Sequence, residues 1–296
     1  MMRISFGSLP SMSTLFLDYV NDWTRVRNFY PQNYSLESIA SFARVRPALD
    51  SRHRDALCTA LAAQQEHWGG NSSGVAKLAS GAVAVITGQQ TGLFTGPHYT
   101  VLKAITVIKL ASALTEAGVA AVPVFWIASE DHDYQEIEWA SVLDRDSAVQ
   151  QLRVDLSNAD SRPSGWLALR DDVSEAITKC LASLPDSEFR PAVADLLAKS
   201  YQPGLSPADA FGRMMARLFD GSGMIFVNPL DNELRKLVTP TLHQVVRQNS
   251  EIRTAVLARS RALSKAGYHE QVKIDENFTG FFAYRDKSRQ PLRPEE

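Results

Sequence analysis

The stretch VAVITGQQTGLFTGPHYTVLKAITVIKLASALTEAGVAAVPVFWIASEDHD, residues 83–133, decides the fold. It begins with a short apolar segment bounded by glycines, which is typical of a strand buried on both faces. A glycine-rich loop, a helical segment and a second apolar segment follow. This order predicts a strand–helix–strand unit with a right-handed crossover, in which the two strands are parallel. We therefore predict an α/β fold with a mainly parallel sheet.

Local signals set the limits of these elements. The predicted strands cover residues 82–87 and 122–128. Pro97 suits the first turn of the helix, where its missing N–H is no loss, and Gly118 suits the stop. The apolar residues that mark the helix are Leu102, Ile105, Ile108 and Leu114.

The rest of the chain divides into regions around this unit. They are an N-terminal helical segment (1–75), the core with the candidate site (76–143), a helical insertion (144–203), a continuation of the α/β core (204–283) and a tail or truncation point (284–296). In the last two regions we expect a strand at 224–227, one long helix over 231–265 and a final strand at 272–274. The charged, proline-containing residues after 283 are typical of a disordered tail.

Ligands of open α/β sheets bind at the carboxyl ends of the strands, so the residues that follow each strand are the first candidates. After the first strand, backbone N–H groups of the glycine loop can hold a phosphate or carboxylate. A tight turn without a ligand explains the glycines as well, and the loop has neither GxGxxG nor GK[ST] spacing. The candidate cofactor-binding residues are Gly88, Gln89, Gln90, Gly92, Thr95 and Gly96.

An acidic cluster around one histidine, Ser129-Glu130-Asp131-His132-Asp133, follows the second strand. Three carboxylates beside one imidazole repel one another unless a cation or a proton is shared. The cluster can orient a general base, bind an ammonium group or hold Mg²⁺. The alternative is a solvated turn in which Asp133 caps a helix that starts at Tyr134.

Composition excludes several classes of function. The chain has 296 residues, 45% of them hydrophobic and 22% charged, with a net charge of −2. This balance gives no electrostatic reason to expect nucleic acid or a membrane as a partner. Cys58 and Cys180 are too few for a disulfide framework and fit a reducing compartment, and no zinc-site spacing is present. We expect a soluble cytoplasmic protein without a protein-bound metal.

Three segments carry a family resemblance. TGQQTGLFTGPHYTVLKA (87–104), PVFWIASEDHDYQEI (123–137) and GYHEQV (267–272) resemble the bacillithiol biosynthesis cysteine-adding enzymes. The resemblance implies a Rossmann-like core similar to that of nucleotidylyl transferases. Members of that family continue into a long coiled coil through which they dimerise. This chain stops at Glu296, so we expect either a fragment or a chain that has lost that half.

The resemblance also implies an activity and its residues. L-cysteine would be joined through its carboxyl group to the amine of glucosaminyl malate, a ligase reaction that requires carboxylate activation. ATP with Mg²⁺ is the hypothetical activating cofactor. His132, with Asp131 and Asp133, would move a proton or bind the ammonium group of cysteine, and His98 would stabilise charge. The candidate substrate-binding residues are Glu130, Asn228, Tyr268 and His269.

Two alternatives remain open at this point. Thr95-Gly96-Pro97-His98 is similar to the [HT]xGH signature of nucleotidylyl transferases and class I aminoacyl-tRNA synthetases, although Pro97 interrupts it. The chain could therefore be a nucleotidylyl transferase-like enzyme with another substrate. It could also be a truncated core that binds a ligand without turnover.

Overall fold

The computed structural model describes residues 4–47, 49–157, 160–272, 274 and 279–292. The chain forms two compact units. Unit 1 comprises Met1–Pro47, Thr239–Ala283 and Pro291–Glu296, and unit 2 comprises Ala48–Val238 and Tyr284–Gln290. The predicted N-terminal helical segment is thus divided between the units. The sheet and the ends of its strands belong to unit 2.

Helices are the most abundant elements among the described residues. They are α1 (Thr14–Asn21), α2 (Trp23–Val26), α3 (Leu36–Arg44), α4 (Ser51–His67), α5 (Ser73–Ala79), α6 (Tyr99–Glu116), α7 (Tyr134–Ile137), α8 (Asp172–Ser183), α9 (Arg190–Ser200), α10 (Pro207–Leu218), α11 (Asn232–Arg247) and α12 (Asn249–Lys265). The strands are β1 (Val83–Gln89), β2 (Ala121–Ile127), β3 (Trp139–Leu143), β4 (Val149–Arg153), β5 (Ile225–Val227), β6 (Phe282–Arg285) and β7 (Ser288–Pro291).

The central sheet has the order β1-β2-β5, and both pairs of strands are parallel. Gln89 at the end of β1 lies opposite Ile127 at the end of β2. The prediction of an α/β fold with a parallel sheet is confirmed, and the predicted strands lie within two residues of the observed ones. Gly118, just after α6, has a φ of 80°, as a residue that ends a helix commonly does.

Helices cover both faces of the sheet. Residues of α6 and α10 form one buried cluster with Phe125, Ile127 and Phe226, and residues of α4 and α5 form another with Val122, Val124 and Ile225. β2 and β5 are buried almost throughout, which explains their apolar runs. The prediction of burial on both faces is wrong for β1, an edge strand on which Ile86 is 60% exposed.

The buried face of α6 differs from the stripe of large apolar residues that marked the helix. Leu102 is 51% exposed, and Ile105 is exposed as well. The buried residues of α6 are Thr100, Ala104, Val107, Ala111 and Leu114. Small and β-branched side chains allow the helix to lie close to the sheet, so the buried face follows close packing rather than side-chain size.

The insertion contains α8 and α9, as predicted, and also a β-hairpin that was not predicted. Strands β3 and β4 pair antiparallel, with Trp139 opposite Arg153 and Leu143 opposite Val149. The predicted region boundary at residue 144 falls in the turn of this hairpin, where the Asp144 carboxylate accepts from the N–H groups of Asp146 and Ala148, both at 2.9 Å.

The C-terminal part differs from the prediction in two places. The long helix expected over 231–265 is two helices, α11 and α12, separated at Gln248. The expected disordered tail is wrong for 284–291, where β6 and β7 lie. The expected strand at 272–274 includes Lys273, which lies outside the described residues, as do residues 293–296.

Two further observations concern the class of protein. In the ranges described above, no helix is both long enough and apolar enough to cross a membrane. Cys58 and Cys180 are free and buried, and burial raises the pKa of both thiols. A raised pKa disfavours the reactive thiolate form of both cysteines.

Candidate functional site

The carboxyl ends of β1 and β2 meet at one edge of the sheet. The N–H of Ala128 donates to the Gln89 carbonyl at 2.9 Å, which extends the pairing by one residue beyond β2. The loop that starts at Gln90 and the loop that starts at Ser129 therefore leave the sheet side by side. This is the edge at which the sequence predicted a ligand site.

Gln90 and the acidic cluster are in direct contact. The Gln90 Nε2 group donates to Asp131 Oδ2 at 2.7 Å, and Asp131 Oδ1 accepts from the backbone N–H of His132 at 2.8 Å. Both oxygens of this carboxylate are thus occupied and its orientation is fixed. The structure brings together a predicted cofactor-binding residue and two predicted catalytic residues.

The His132 imidazole lies beside this carboxylate. Its Nδ1 atom is 4.0 Å from Asp131 Oδ1, which is too long for a hydrogen bond but short enough for charge attraction when the ring is protonated. Nδ1 is buried and has no hydrogen-bond partner, while the ring as a whole is partly exposed. Because Nδ1 is buried, a ligand can reach the ring only through its exposed part, while Nδ1 retains an unused hydrogen-bonding site beside Asp131.

A surface cavity of about 530 Å³ adjoins the imidazole. This volume is within the range of small-molecule sites. Tyr134 forms part of its wall and is held by its hydroxyl, which donates to the Arg162 carbonyl at 2.6 Å. The lining residues are Asp131, His132, Asp133, Tyr134, Gln135 and Ser161.

The remaining carboxylates of the cluster point to different partners. Glu130 Oε1 accepts a long hydrogen bond, 3.5 Å, from the Tyr284 hydroxyl. Burial, followed by the charge of Glu130, raises the pKa of Tyr284. Asp133 is exposed and stands at the N-cap position of α7, which starts at Tyr134 as the alternative of a solvated turn expects, but its side chain makes no capping hydrogen bond. Within the described part of the chain, no three or more His, Cys, Asp or Glu side chains converge as a metal site.

The glycine loop is closed on itself. The N–H of Gly92 donates to the Gln90 carbonyl at 2.9 Å, and the N–H of Gly96 donates to the Leu93 carbonyl at 2.8 Å. Gly88 lies within β1, paired with Trp126. The N–H groups of Gly92 and Gly96 are therefore used inside the loop in this conformation, and the assignment of the loop to cofactor binding remains a prediction.

A buried tyrosine from the insertion holds this loop. The Tyr201 hydroxyl accepts from the N–H of Thr95 at 3.3 Å and donates to the Gly92 carbonyl at 3.2 Å. Thr95 has a φ of 78°, which residues with a Cβ rarely adopt. A Cβ on Gly92 would lie 2.7 Å from the Gly96 Cα, so the two turns of the loop touch. Gly92, Thr95 and Gly96 thus determine the shape of the loop.

Gln89 and Lys103 form a second polar contact at the end of β1. The Lys103 ammonium donates to Gln89 Oε1 at 2.8 Å and to the Gly88 carbonyl at 3.3 Å. Gln89 Nε2 donates to the Tyr99 hydroxyl at 3.1 Å. Of the two lysines on α6, Lys109 is exposed and Lys103 is partly buried.

The Asn228 side chain, which follows β5, is hydrogen-bonded to Ser129 in the loop after β2. Its Oδ1 accepts from the buried Ser129 hydroxyl at 2.5 Å and from the Leu230 N–H at 3.0 Å. Its backbone N–H donates to Gln64 Oε1 at 2.8 Å, and Gln65 on α4 bonds both backbone groups of Phe226 in the same way. These side-chain amides satisfy the free edge of β5 as a further strand would. Asn228 therefore has a structural role, and substrate contact remains a prediction.

The other predicted site residues lie apart from these contacts. His98 is exposed immediately before α6, and its side chain does not cap the helix. Tyr268 and His269 belong to unit 1. There Tyr268 is buried and donates to Asp18 Oδ2 at 2.8 Å, and burial raises its pKa, while His269 is exposed. Their assignment to substrate binding remains a prediction.

Sequence reasoning missed Tyr201 and Tyr284 and did not assign Lys103 to the site. The two tyrosines are 109 and 154 positions from their partners Gly92 and Glu130, and no local signal marks them. Lys103 did have a signal. It follows Tyr99 by one helical turn, on a helix that begins directly after the glycine loop, so both side chains face that loop.

Comparison with known proteins agrees with this geometry. The family model described as "Bacillithiol biosynthesis BshC, N-terminal Rossmann-like domain" matches residues 2–296. The chain belongs to this family. The earlier resemblance and the Rossmann-like fold are thereby confirmed.

Several curated relatives of this BshC-family chain carry the name "Putative cysteine ligase BshC". The protein from Koribacter versatilis is 34% identical over 292 residues, which is 97% of this chain and 53% of that relative. The protein from Salinibacter ruber is 36% identical over 90% of this chain and 50% of the relative. The protein from Solibacter usitatus is 33% identical over 97% and 53%. The chain spans about half the length of these relatives.

Proposed function

We propose that this chain provides the nucleophile-activating part of a cysteine ligase in bacillithiol synthesis. In the proposed reaction L-cysteine is joined through its carboxyl group to the amine of glucosaminyl malate. The observation that carries the proposal is the contact of Gln90 with Asp131, beside the unpaired Nδ1 of His132. It occurs at the carboxyl edge of the sheet of a BshC-family domain, next to a cavity large enough for a small molecule.

The proposed chemistry places a base at His132. The amine nitrogen forms a C–N bond with the activated carboxyl carbon of cysteine, the bond from that carbon to its leaving oxygen breaks, and the amine proton moves to the imidazole. Asp131 Oδ1, 4.0 Å from Nδ1, stabilises the resulting imidazolium. Gln90 holds Asp131 in place. Asp133, on the same cavity wall, is a site for the ammonium group of cysteine.

Activation of the carboxylate requires a further group, because a carboxylate is a poor acceptor for an amine. ATP with Mg²⁺ would supply this activation. The residues at the end of β1 fit such an anionic cofactor through side chains rather than backbone. The Thr91 hydroxyl is buried without a partner, and the Lys103 ammonium reaches the same strand end. His98, exposed at the start of α6, remains a proposed charge-stabilising residue.

The test is product formation by the purified chain with L-cysteine, glucosaminyl malate, ATP and Mg²⁺, followed by mass spectrometry. Omission of ATP in parallel identifies the activating cofactor. His132→Ala should reduce turnover by about 100-fold or more, the contribution typical of a general base. His53→Ala is the matched control, because His53 is an exposed histidine of the same unit whose ring contacts Asp50.

The outcomes separate the alternatives. Equal turnover by wild type and His132→Ala would remove the base assignment. Release of pyrophosphate that does not depend on cysteine would favour a nucleotidylyl transferase with another substrate. Ligand binding without product would favour a binding-only core. The homodimer that the resemblance implies for a full-length form with the coiled coil is tested separately, by the mass of such a form in solution.

A further inference from the structure

Lys103 is a cation held only by neutral oxygens. Its ammonium donates to Gln89 Oε1 at 2.8 Å and to the Gly88 carbonyl at 3.3 Å, and lies 5.0 Å from the centre of the Tyr99 ring. Across the described ranges, no acidic side chain forms an ion pair with it. By contrast, Lys179, Lys199 and Lys236 each pair with a carboxylate on their own helix. The charge of Lys103 is ordered but not neutralised.

The position of this charge is unfavourable without an anion. Side chains on a helix lean toward its N-terminus, so the Lys103 ammonium extends toward the first turn of α6. The N-terminus of an 18-residue helix carries a partial positive charge, which a cation there opposes. The ammonium also has a third N–H that its two oxygen partners leave unused. Both features favour a negatively charged group at this place.

Two buried hydroxyls provide an independent observation. Thr91 is 2% exposed and Thr100 is 0% exposed, and neither hydroxyl oxygen has a hydrogen-bond partner. Thr91 lies in the loop that leaves β1, and Thr100 lies in the first turn of α6. A buried polar group without a partner is unfavourable, because its hydrogen bonds to water are lost and not replaced. Unused hydroxyl donors therefore lie in both segments that Lys103 connects, whereas the backbone donors of Gly92 and Gly96 are already bonded.

We propose that Lys103 is the cationic residue that binds an oxyanion, a phosphoryl or carboxylate group, at the end of β1. The hydroxyls of Thr91 and Thr100 supply further donors. This inference rests on the proposed function in that it assigns the anion-binding part of the same site. It adds Lys103 to His98 as a residue that stabilises the charge of the bound anion.

The test measures binding of two probes to the whole 296-residue chain by calorimetry. Tripolyphosphate represents the phosphoryl source and L-malate represents the carboxylate source. We expect Lys103→Met to weaken the binding of at least one probe by about tenfold or more, because the substitution removes a charge-assisted hydrogen bond. Lys103→Arg should retain part of the affinity. Lys109→Met, which removes an exposed lysine from the same helix, should stay within about twofold of wild type.

A second measurement does not depend on a variant that folds. Acetylation of lysines in the wild-type chain, read by mass spectrometry, should slow at Lys103 when the bound probe is present and stay unchanged at Lys109. Equal affinity of Lys103→Met and wild type for both probes would overturn the proposal, as would equal acetylation of Lys103 with and without probe. Failure of the wild type to bind either probe would overturn it as well. If the probes bind in a Lys103-dependent way but no amide product forms, the proposed ligase function is refuted and the anion-binding role of Lys103 stands.

Discussion

Replacing Tyr201 by phenylalanine should loosen the glycine loop while leaving the rest of the insertion packed. The substitution keeps the ring, whose edge-to-face contact with Phe94 has a centroid distance of 5.1 Å. It removes only the hydroxyl, which bonds the Thr95 N–H at 3.3 Å and the Gly92 carbonyl at 3.2 Å. Tyr201 is 2% exposed, so water does not replace the lost bonds without a local opening.

The magnitude follows from the two backbone groups left without a partner. Each unsatisfied buried group costs about 1–3 kcal/mol. Both hydrogen bonds are long, so the lower end applies, and the free energy of unfolding should fall by about 2 kcal/mol in total. That corresponds to roughly a 30-fold change in the folding equilibrium. Phe94 and Thr95 in this loop have positive φ, and the substitution removes the two hydroxyl bonds that hold the loop in this conformation.

Urea denaturation of the wild type and Tyr201→Phe measures this change. Tyr34→Phe is the control, because Tyr34 is 56% exposed and loss of its hydroxyl should cost less than about 0.5 kcal/mol. The reasoning is refuted if Tyr201→Phe is as stable as Tyr34→Phe. It is also refuted if the loss of stability leaves binding of tripolyphosphate and L-malate unchanged, because the loop would then not need the hydroxyl for its shape.

Two further predictions concern the same loop. Gly92→Ala places a Cβ 2.7 Å from the Gly96 Cα and should lower the free energy of unfolding by about 1–3 kcal/mol, whereas Gly70→Ala, with its nearest contact at 3.4 Å, should be close to neutral in the same urea titration. Burial raises the pKa of Tyr201 above its unfolded value, so its contribution to stability is fully present below about pH 10 and falls by about 1.4 kcal/mol per pH unit above it. Unfolding measured at pH 9 and pH 11 should therefore show a smaller decrease for Tyr201→Phe than for the wild type, and identical decreases would contradict the assignment.

The elements around the site could be predicted because their signals are local. An apolar run between glycines, the proline before α6 and Gly118 after it each act through the conformation of one or two residues. The proximity of Gln90 and Asp131 could also be predicted from the sequence, because parallel strands end at a common edge of the sheet. The acidic cluster was identified for the same reason.

Other elements depended on partners that local sequence does not name. Strand β4 (Val149–Arg153) exists because β3 lies beside it, and it is too polar to read as a strand alone. The break at Gln248 and the strands near residue 284 were likewise not visible in periodicity. In each case a contact made elsewhere in the chain outweighs the weak local preference.

The sequence by itself determined the parallel sheet, the glycine loop, the position of the acidic cluster and the family. Only the tertiary structure decided which groups of the loop are free to bind. The N–H groups of Gly92 and Gly96 are bonded to carbonyls of the loop itself, and the N–H of Thr95 is bonded to the hydroxyl of Tyr201, which follows α9. Among the described residues, the tertiary structure left the charge of Lys103 without an acidic partner at the end of β1. The physical reason is that hydrogen-bond satisfaction is settled by the final position of every partner, which spacing along one segment does not contain.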